Sequence, residues 1–434
     1  MEAVASTPRP RRVAVIADTD SRWKWGMLTA RQLAASDSID AYLLEGPAEP
    51  SERQWAAVDV DPADVVPVRL GTLAKALAQR PPDVLVVALP GGGAQAALHA
   101  VRAGWPSGLT RPIMVAGYVG VVYEKVIEGL LLRGGYDIVL ANSAHDARRF
   151  RQVFDGVGIE AASIVETTLP FLAPRHERPA AAAADPFTLT FAGQPGVPGS
   201  YAHRGYLVDR LIEHAGLHPQ RSVRIKLRSV PGERVTHPEP YPYEAILRRA
   251  GERVPANVTT MLGDMGDVLA STDLLVTVSS TAALEAMHQG VATVVLTDFG
   301  IRESLGNAHF VGSGCLGSFD DIDDGFAPLA HPGWARDHGV GVAPAAGLAD
   351  RVSLLLGREL SPISPYASVR LSPVYLPRLL ASYGLDPRGY DLGADQHFGR
   401  VRRQVRGAIR GTARSLYHSG VSVVAPTLRK LGSL

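Results

Sequence analysis

Short apolar runs recur along the chain, separated by stretches with helical periodicity. RVAVIA (12–17), DAYLL (40–44), VVPV (65–68), DVLVVAL (83–89), PIMVA (112–116), DIVLA (137–141) and ASIV (162–165) read as buried strands. GMLTARQLAA, AQAALHAVRA, VYEKVIEGLLLR and HDARRFRQVF, lying between them, read as helices. This alternation predicts parallel sheets covered by helices. APRHERPAAAAADP (173–186), rich in Pro, Ala and charge, interrupts the pattern as a linker would. Strands restart at FTLTFAG (187–193), SVRIKL (222–227), NVTTML (257–262), DLLVTV (273–278) and ATVVL (292–296). The expected architecture is α/β: two Rossmann-like domains, 1–172 and 187–360, facing across a cleft. A helical extension (361–397) and a tail (398–434) follow. A ligand is expected between the carboxyl ends of the two sets of strands.

Composition narrows the class. Of 434 residues, 46% are hydrophobic and 20% charged, which excludes a mainly disordered chain. The 44 basic and 43 acidic residues nearly cancel, so a nucleic-acid partner is not expected. The lone Cys315 excludes a disulfide framework and a cysteine zinc site and suits a reducing, cytoplasmic setting. No run approaches the ~18 apolar residues that span a membrane. Arg11-Arg12 leads into a strand rather than a signal peptide. The few lysines and many Gly and Ala suggest a GC-rich bacterial genome.

Charge is unevenly placed. From Phe398 onward there are eight Arg and Lys and no acid, which leaves residues 1–397 at −7. Val401, Val405, Ile409 and Leu416 recur at helical spacing among arginines. Such a basic amphipathic helix can lie on an anionic membrane surface, or pack on the body.

The most informative stretch is DLLVTVSSTAALEAMHQGVATVVLTDFG (273–300). A buried strand ends in Ser279, Ser280 and Thr281, and a helix follows that Gly290 stops. Hydroxyls and backbone N–H groups at a helix N-terminus favour an anion. Glu285, four residues on, shares the face of Thr281 and can accept hydrogen bonds from ribose hydroxyls. Simple capping needs one hydroxyl rather than three.

SSTAALEAMHQGVATVV resembles the donor-domain signature of GT-B glycosyltransferases, an S/G-rich turn followed by an E-A-(M/L)-x-x-G-x-P-V-V type helix and strand. Here Ala292 stands where Pro is common. NVTTMLGDMGDVLASTDLLVTV, and DIVLANSAHDARRF with TTLPFL, resemble other parts of that fold. The resemblance implies that Ser279, Ser280 and Thr281 hold a donor phosphate and that Glu285 holds the ribose. It also implies that Met261, Leu262 and Gly263 touch the base. The N-terminal domain would then take the acceptor. Catalysis commonly needs no metal in this fold, so none is assigned and no cofactor beyond the donor is expected.

A second donor-side group lies in VRIKLRSVPGERVTHPEPYPYEAIL (223–247). Lys226 and Arg228 alternate with apolar neighbours at the end of a strand and so share a face suited to phosphate. His237-Pro238, preceding the serine turn by 42 residues, resembles the HP and SS elements of CMP-sugar-dependent sialyl- and polysialyltransferases. Their HP element directly follows its strand, whereas nine residues intervene here. A CMP- or UDP-sugar donor follows from these resemblances.

ADTDSRWKWG (17–26) reads as a loop at the carboxyl end of the first strand, with the helix starting near Gly26. Asp20, and after it Asp18, are candidates for the base that takes the acceptor hydroxyl proton. Trp23 and Trp25 are expected to stack on the acceptor. AGYVGVVYEK (116–125) adds Tyr118, Gly120 and Glu124 on that side, Glu124 as a rival base. His309 is a weaker candidate, and SFDDIDDGF (318–326) reads as a solvated loop.

The expected function is sugar transfer from a nucleotide-sugar to a glycan or lipid-linked acceptor in cell-envelope polysaccharide synthesis. The expected location is cytoplasmic, peripheral on the inner membrane face through the tail. The alternatives are a nucleotide-sugar epimerase of the same fold and a haloacid dehalogenase-type phosphatase. The latter rests on the D-x-D-x-(S/T) likeness of DTDS, with Asp18 as nucleophile.

Overall fold

The computed structural model describes residues 11–35, 38–46, 55, 60–121, 126–172, 186–228, 239, 241–343, 347–368 and 370–393. His237, Glu124 and the tail lie outside them.

Two wholly parallel sheets form the body. The first holds β1 (Val13–Ala17), β2 (Ile39–Leu44), β3 (Val65–Val68), β4 (Val84–Ala88), β5 (Ile113–Ala116), β6 (Ile138–Ala141) and β7 (Ile164–Glu166), in the order β3-β2-β1-β4-β5-β6-β7. The second holds β8 (Thr188–Ala192), β9 (Ser222–Lys226), β10 (Val258–Met261), β11 (Leu274–Thr277), β12 (Ala292–Leu296) and β13 (Leu316–Gly317), in the order β10-β9-β8-β11-β12-β13. In each sheet the order reverses beside its first strand, which opens a crevice at the strand ends. The two sheets repeat one fastening. The carboxylates of Asp83 and Asp273, just before β4 and β11, accept the backbone N–H of Arg12 and Thr188 at the start of the neighbouring strand. Asp137 does the same for Met114.

β1 is buried at every position because helices cover both faces. Ala14 and Ile16 enter one apolar layer, and Val13, Val15 and Ala17 the other. The second layer receives α1 (Asp20–Arg31), which begins six residues earlier than expected. The reason is a stripe at i, i+3, i+4 and i+7: Trp23, Gly26, Met27 and Ala30 all face the sheet. The approach is close, since a Cβ on Gly26 would lie 2.7 Å from Val15 Cγ1. Trp23 and Trp25 are buried in this layer, and Trp23 packs edge-on against Trp55. The expectation that they stack on an acceptor is therefore corrected: they hold α1 to the sheet.

The remaining α-helices among the described residues are α2 (Leu70–Gln79), α3 (Gly91–Gly104), α4 (Val126–Leu131), α5 (Ala144–Val157), α6 (Tyr201–Leu217), α7 (Tyr243–Ala250), α8 (Met265–Ala270), α9 (Ala282–Gln289), α10 (Phe319–Asp323), α11 (Pro332–Asp337), α12 (Gly347–Leu356) and α13 (Tyr375–Ser382). The segment read as a solvated acidic loop contains α10. Ser318 and Asp321 form its capping box, and Phe319 and Ile322 enter the core. After the second sheet the chain returns to the first. Leu348 and Val352 of α12 are buried in its outer layer, and Leu376, Leu380 and Leu385 in the opposite one. Packing thus changes hands before α12, ahead of the division at 360 expected from sequence.

Candidate active site

The carboxyl ends of β1, β5, β9, β10 and β11 face one another across the cleft between the sheets. From the first sheet comes the N-terminus of α1. From the second come Lys226 at the end of β9 and Arg228 beyond it, the Met261–Asp264 turn that ends β10, and the Ser279–Thr281 turn after β11. Polar contacts join the halves here. Lys24 Nζ lies 2.6 Å from Asp264 Oδ2, and Arg228 donates to Ser21 Oγ with Asp20 Oδ2 at 3.5 Å. Gly120 meets Thr281 so closely that a Cβ would lie 2.8 Å from the Thr281 hydroxyl.

The members of the serine turn differ. Ser279 is buried, its N–H donating to Gln194 Oε1 and its hydroxyl to the Leu305 carbonyl. It fixes the turn and does not face the cleft, which corrects its expected phosphate contact. Ser280 Oγ accepts from the Ala282 N–H and opens α9, with Thr281 beside it. Arg204 supports the turn from behind. It is fully buried and donates to the carbonyls of Gln194, Pro195, Pro198 and Tyr241 and to Glu239. It thereby fixes the strand exit that carries Gln194. Neither residue stood out in sequence; the FAGQPG turn after β8 was the available signal.

Glu285 sits one turn into α9. Burial pushes its carboxyl up to about 7; nearby Lys24 and Lys226 oppose that rise and Asp264 adds to it. Among the described residues its carboxylate makes no hydrogen bond. Asp264 is held below the usual carboxylate range. Burial works against this, but the Lys24 hydrogen bond, the Gly266 N–H and the charges of Lys24 and Lys226 outweigh it. Met261, Leu262 and Gly263 form the open rim above, with Gly263 at φ 127°, where glycine is favoured.

On the first-domain side the candidates separate. Asp20 lies across from Arg228, whereas Asp18, just ahead of α1, is tied to Arg22 of that helix at 2.7 Å. Tyr118 turns away from the cleft. Its ring packs against Phe150 and under the Arg133 guanidinium, and its hydroxyl reaches the Val126 carbonyl, so its expected acceptor contact is corrected. His309 is packed among Phe310, Trp334, His145 and His338. Burial and the neighbouring histidines push it down to about 3, so it is a neutral packing group.

The family described as Putative glycosyltransferase (DUF6716) matches residues 13–355, the span that holds both sheets and this cleft. The chain belongs to that glycosyltransferase family. Its architecture is that of GT-B proteins. The UDP-GlcNAc 2-epimerase from Neisseria meningitidis, bound to UDP-GlcNAc, is similar at 11% identity and TM-score 0.50, covering 80% of this chain and 98% of that one. Arabidopsis thaliana UGT89C1, complexed with UDP-L-rhamnose, is similar at 11% identity and TM-score 0.51, covering 81% and 99%. At such identity the likeness is one of fold. No curated protein matches the sequence.

One group in this glycosyltransferase-family chain has metal-ligand composition among the described residues: His214, His218 and Asp323. It lies where α6 meets α10, away from the cleft. There His214 Nδ1 is hydrogen-bonded to Asp323, Asp323 also pairs with Arg210, and Arg221 faces His214 Nε2. The two arginines already supply the positive charge that a cation would bring.

Proposed function

We propose that this cleft transfers a sugar from a UDP-sugar to an acceptor hydroxyl by direct displacement. The observation that carries the reading is the convergence of Lys226, Arg228, the start of α9 and the unbonded carboxylate of Glu285 at one set of strand ends. Lys226, Arg228 and Thr281 hold the diphosphate, Glu285 accepts from the ribose hydroxyls, and the Met261–Gly263 rim meets the base. UDP is preferred to CMP because both similar structures carry a UDP-sugar.

In the transfer step the acceptor oxygen forms a bond to the anomeric carbon. The bond from that carbon to the phosphate oxygen breaks, UDP leaves with the electron pair, and Asp20 takes the acceptor proton. Cations on the leaving phosphate lower the barrier because charge grows there. Arg228 links the two halves of the step. Drawn onto the donor phosphate, it gives up its contact with Ser21 and Asp20 once the donor is bound. The acceptor is proposed to be a lipid-linked glycan of the cell envelope. The eight cations after residue 398 would hold the enzyme at an anionic inner leaflet.

Thermal shift against UDP, CMP, GDP, dTDP and ADP, on wild type and Lys226→Ala, tests the reading. A selective UDP response that the variant loses supports it; no response to any nucleotide overturns it. Incubation with a UDP-sugar and no acceptor separates transfer from epimerisation. A new epimer in the NMR spectrum would favour the epimerase, a reading consistent with one of the two similar folds.

A further inference from the structure

The first domain carries an exposed apolar patch that the transfer chemistry does not use. Ile127 on the outer side of α4 is 61% exposed, and Leu371, Val374 and Tyr375 at the start of α13 are 63%, 59% and 50% exposed. The two segments pack side by side over the start of α3, Leu132 at the end of α4 against Gly91 and Leu379 of α13 against Gly92. α13 owes its attachment to its other face, where Leu376 and Leu380 are buried and Leu379 and Tyr383 pack over Gly92 of α3. Nothing among the described residues covers its outer face. Single exposed apolar residues are ordinary on protein surfaces, but four together mark a contact surface.

The charge around the patch identifies its partner. Arg370 and Arg378 flank it, both exposed, and the sequence holds no acid from Leu360 to Leu385. Glu128 is the acidic exception at its edge. The chain leaves the described residues at Gly393, from a turn packed against α3 of the same domain, and the eight-cation segment follows. Arginines would repel that segment from the patch. Apolar side chains ringed by arginine suit an anionic lipid surface, where the former enter the acyl boundary and the latter meet the headgroups.

We infer that the face formed by Ile127, Leu371, Val374 and Tyr375, with Arg370 and Arg378, docks on an anionic lipid bilayer. The consequence is geometric. Tyr118, in the loop that leads to Gly120 at the cleft, packs beneath α4, so the membrane face lies next to the acceptor side of the cleft. A lipid-linked acceptor could then enter without leaving the bilayer surface. The inference rests on the lipid-linked acceptor reading but is measured without turnover.

The test is flotation of the full chain with vesicles of phosphatidylcholine alone or containing phosphatidylglycerol. Leu371→Asp with Val374→Asp is the first variant and Arg370→Glu with Arg378→Glu the second; all four positions are exposed. At least a tenfold loss of partition into phosphatidylglycerol vesicles is expected from each, with melting temperature and UDP response unchanged. Unaltered partition in both variants overturns the inference, as does wild-type partition that ignores lipid charge. It is also overturned if the variants instead abolish a concentration-dependent dimer in sedimentation. A chain that binds vesicles through the patch but fails to answer UDP would refute the transferase reading alone.

Discussion

Glu285→Gln offers the sharpest perturbation of the cleft. In the folded chain burial pushes this carboxyl from its ordinary 4.5 up to about 7. The folded state therefore keeps a proton that the unfolded state has lost between those values, and stability falls as pH rises through that window. Below pH 4.5 the wild type bears no cost; above pH 7 it bears all of it. At 1.36 kcal/mol per pKa step the cost is about 3 kcal/mol, an upper figure because the side chain keeps part of its surface in water. Glutamine never ionises, so the variant should gain most of that difference at pH 8 and almost nothing at pH 4.5. At roughly 2–4 °C per kcal/mol for a unit of 150–250 residues, the pH 8 melting temperature should rise by about 6 °C or more. UDP binding should move the other way. Ribose hydroxyls donate best to the ionised form, so wild-type affinity should tighten from pH 6 to pH 8. The variant should bind roughly tenfold or more weakly, with no such slope. Equal gains at both pH values, or a loss of stability at pH 8, would show that the carboxylate is already ionised and satisfied.

Lys24→Met and Asp264→Asn should each alter stability by under ~1 kcal/mol, because the pair is partly exposed. They should shift the pH midpoint of UDP binding in opposite directions, Lys24→Met upward and Asp264→Asn downward, as titration calorimetry across pH would read. Arg204→Met should destabilise by about 3–5 kcal/mol in denaturant unfolding, since it strands Glu239 and four carbonyls. Asp20→Asn should lower kcat by roughly 10²–10⁴ with UDP affinity kept, in a coupled UDP-release assay. Trp25→Ala should cost about 3–5 kcal/mol and reduce turnover equally for every acceptor; selective loss for one acceptor would restore the stacking role.

The strands were legible because a parallel strand buried on both faces is a continuous apolar run. DVLVVAL, DIVLA and DLLVTV even announced their first residue, the aspartate that fastens the neighbouring strand. The serine turn and Glu285 were legible as a local pattern. Burial was harder to read. Trp23 and Trp25 looked like exposed aromatics beside a strand end, although the i, i+3, i+4, i+7 stripe through Trp23 and Ala30 was already present. The Lys24–Asp264 pair joins residues 240 positions apart, and no local signal carries such a contact. Nor could the leucines of α12 say which sheet they would cover.

That return of the chain makes the halves unequal as separate proteins. A fragment ending at residue 172 would hold all seven strands of the first sheet yet leave open the seats of Leu348, Val352, Leu376 and Leu380. Residues 187–343 contain every strand of the second sheet. The second half is continuous, but Leu169 and Leu172 from ahead of the linker pack among Ala283, Leu284, Met287 and Phe310, so a fragment of it has to begin before residue 169. The first half has to be reconstituted from two pieces, with 347–393 supplied in trans or spliced on through a short linker.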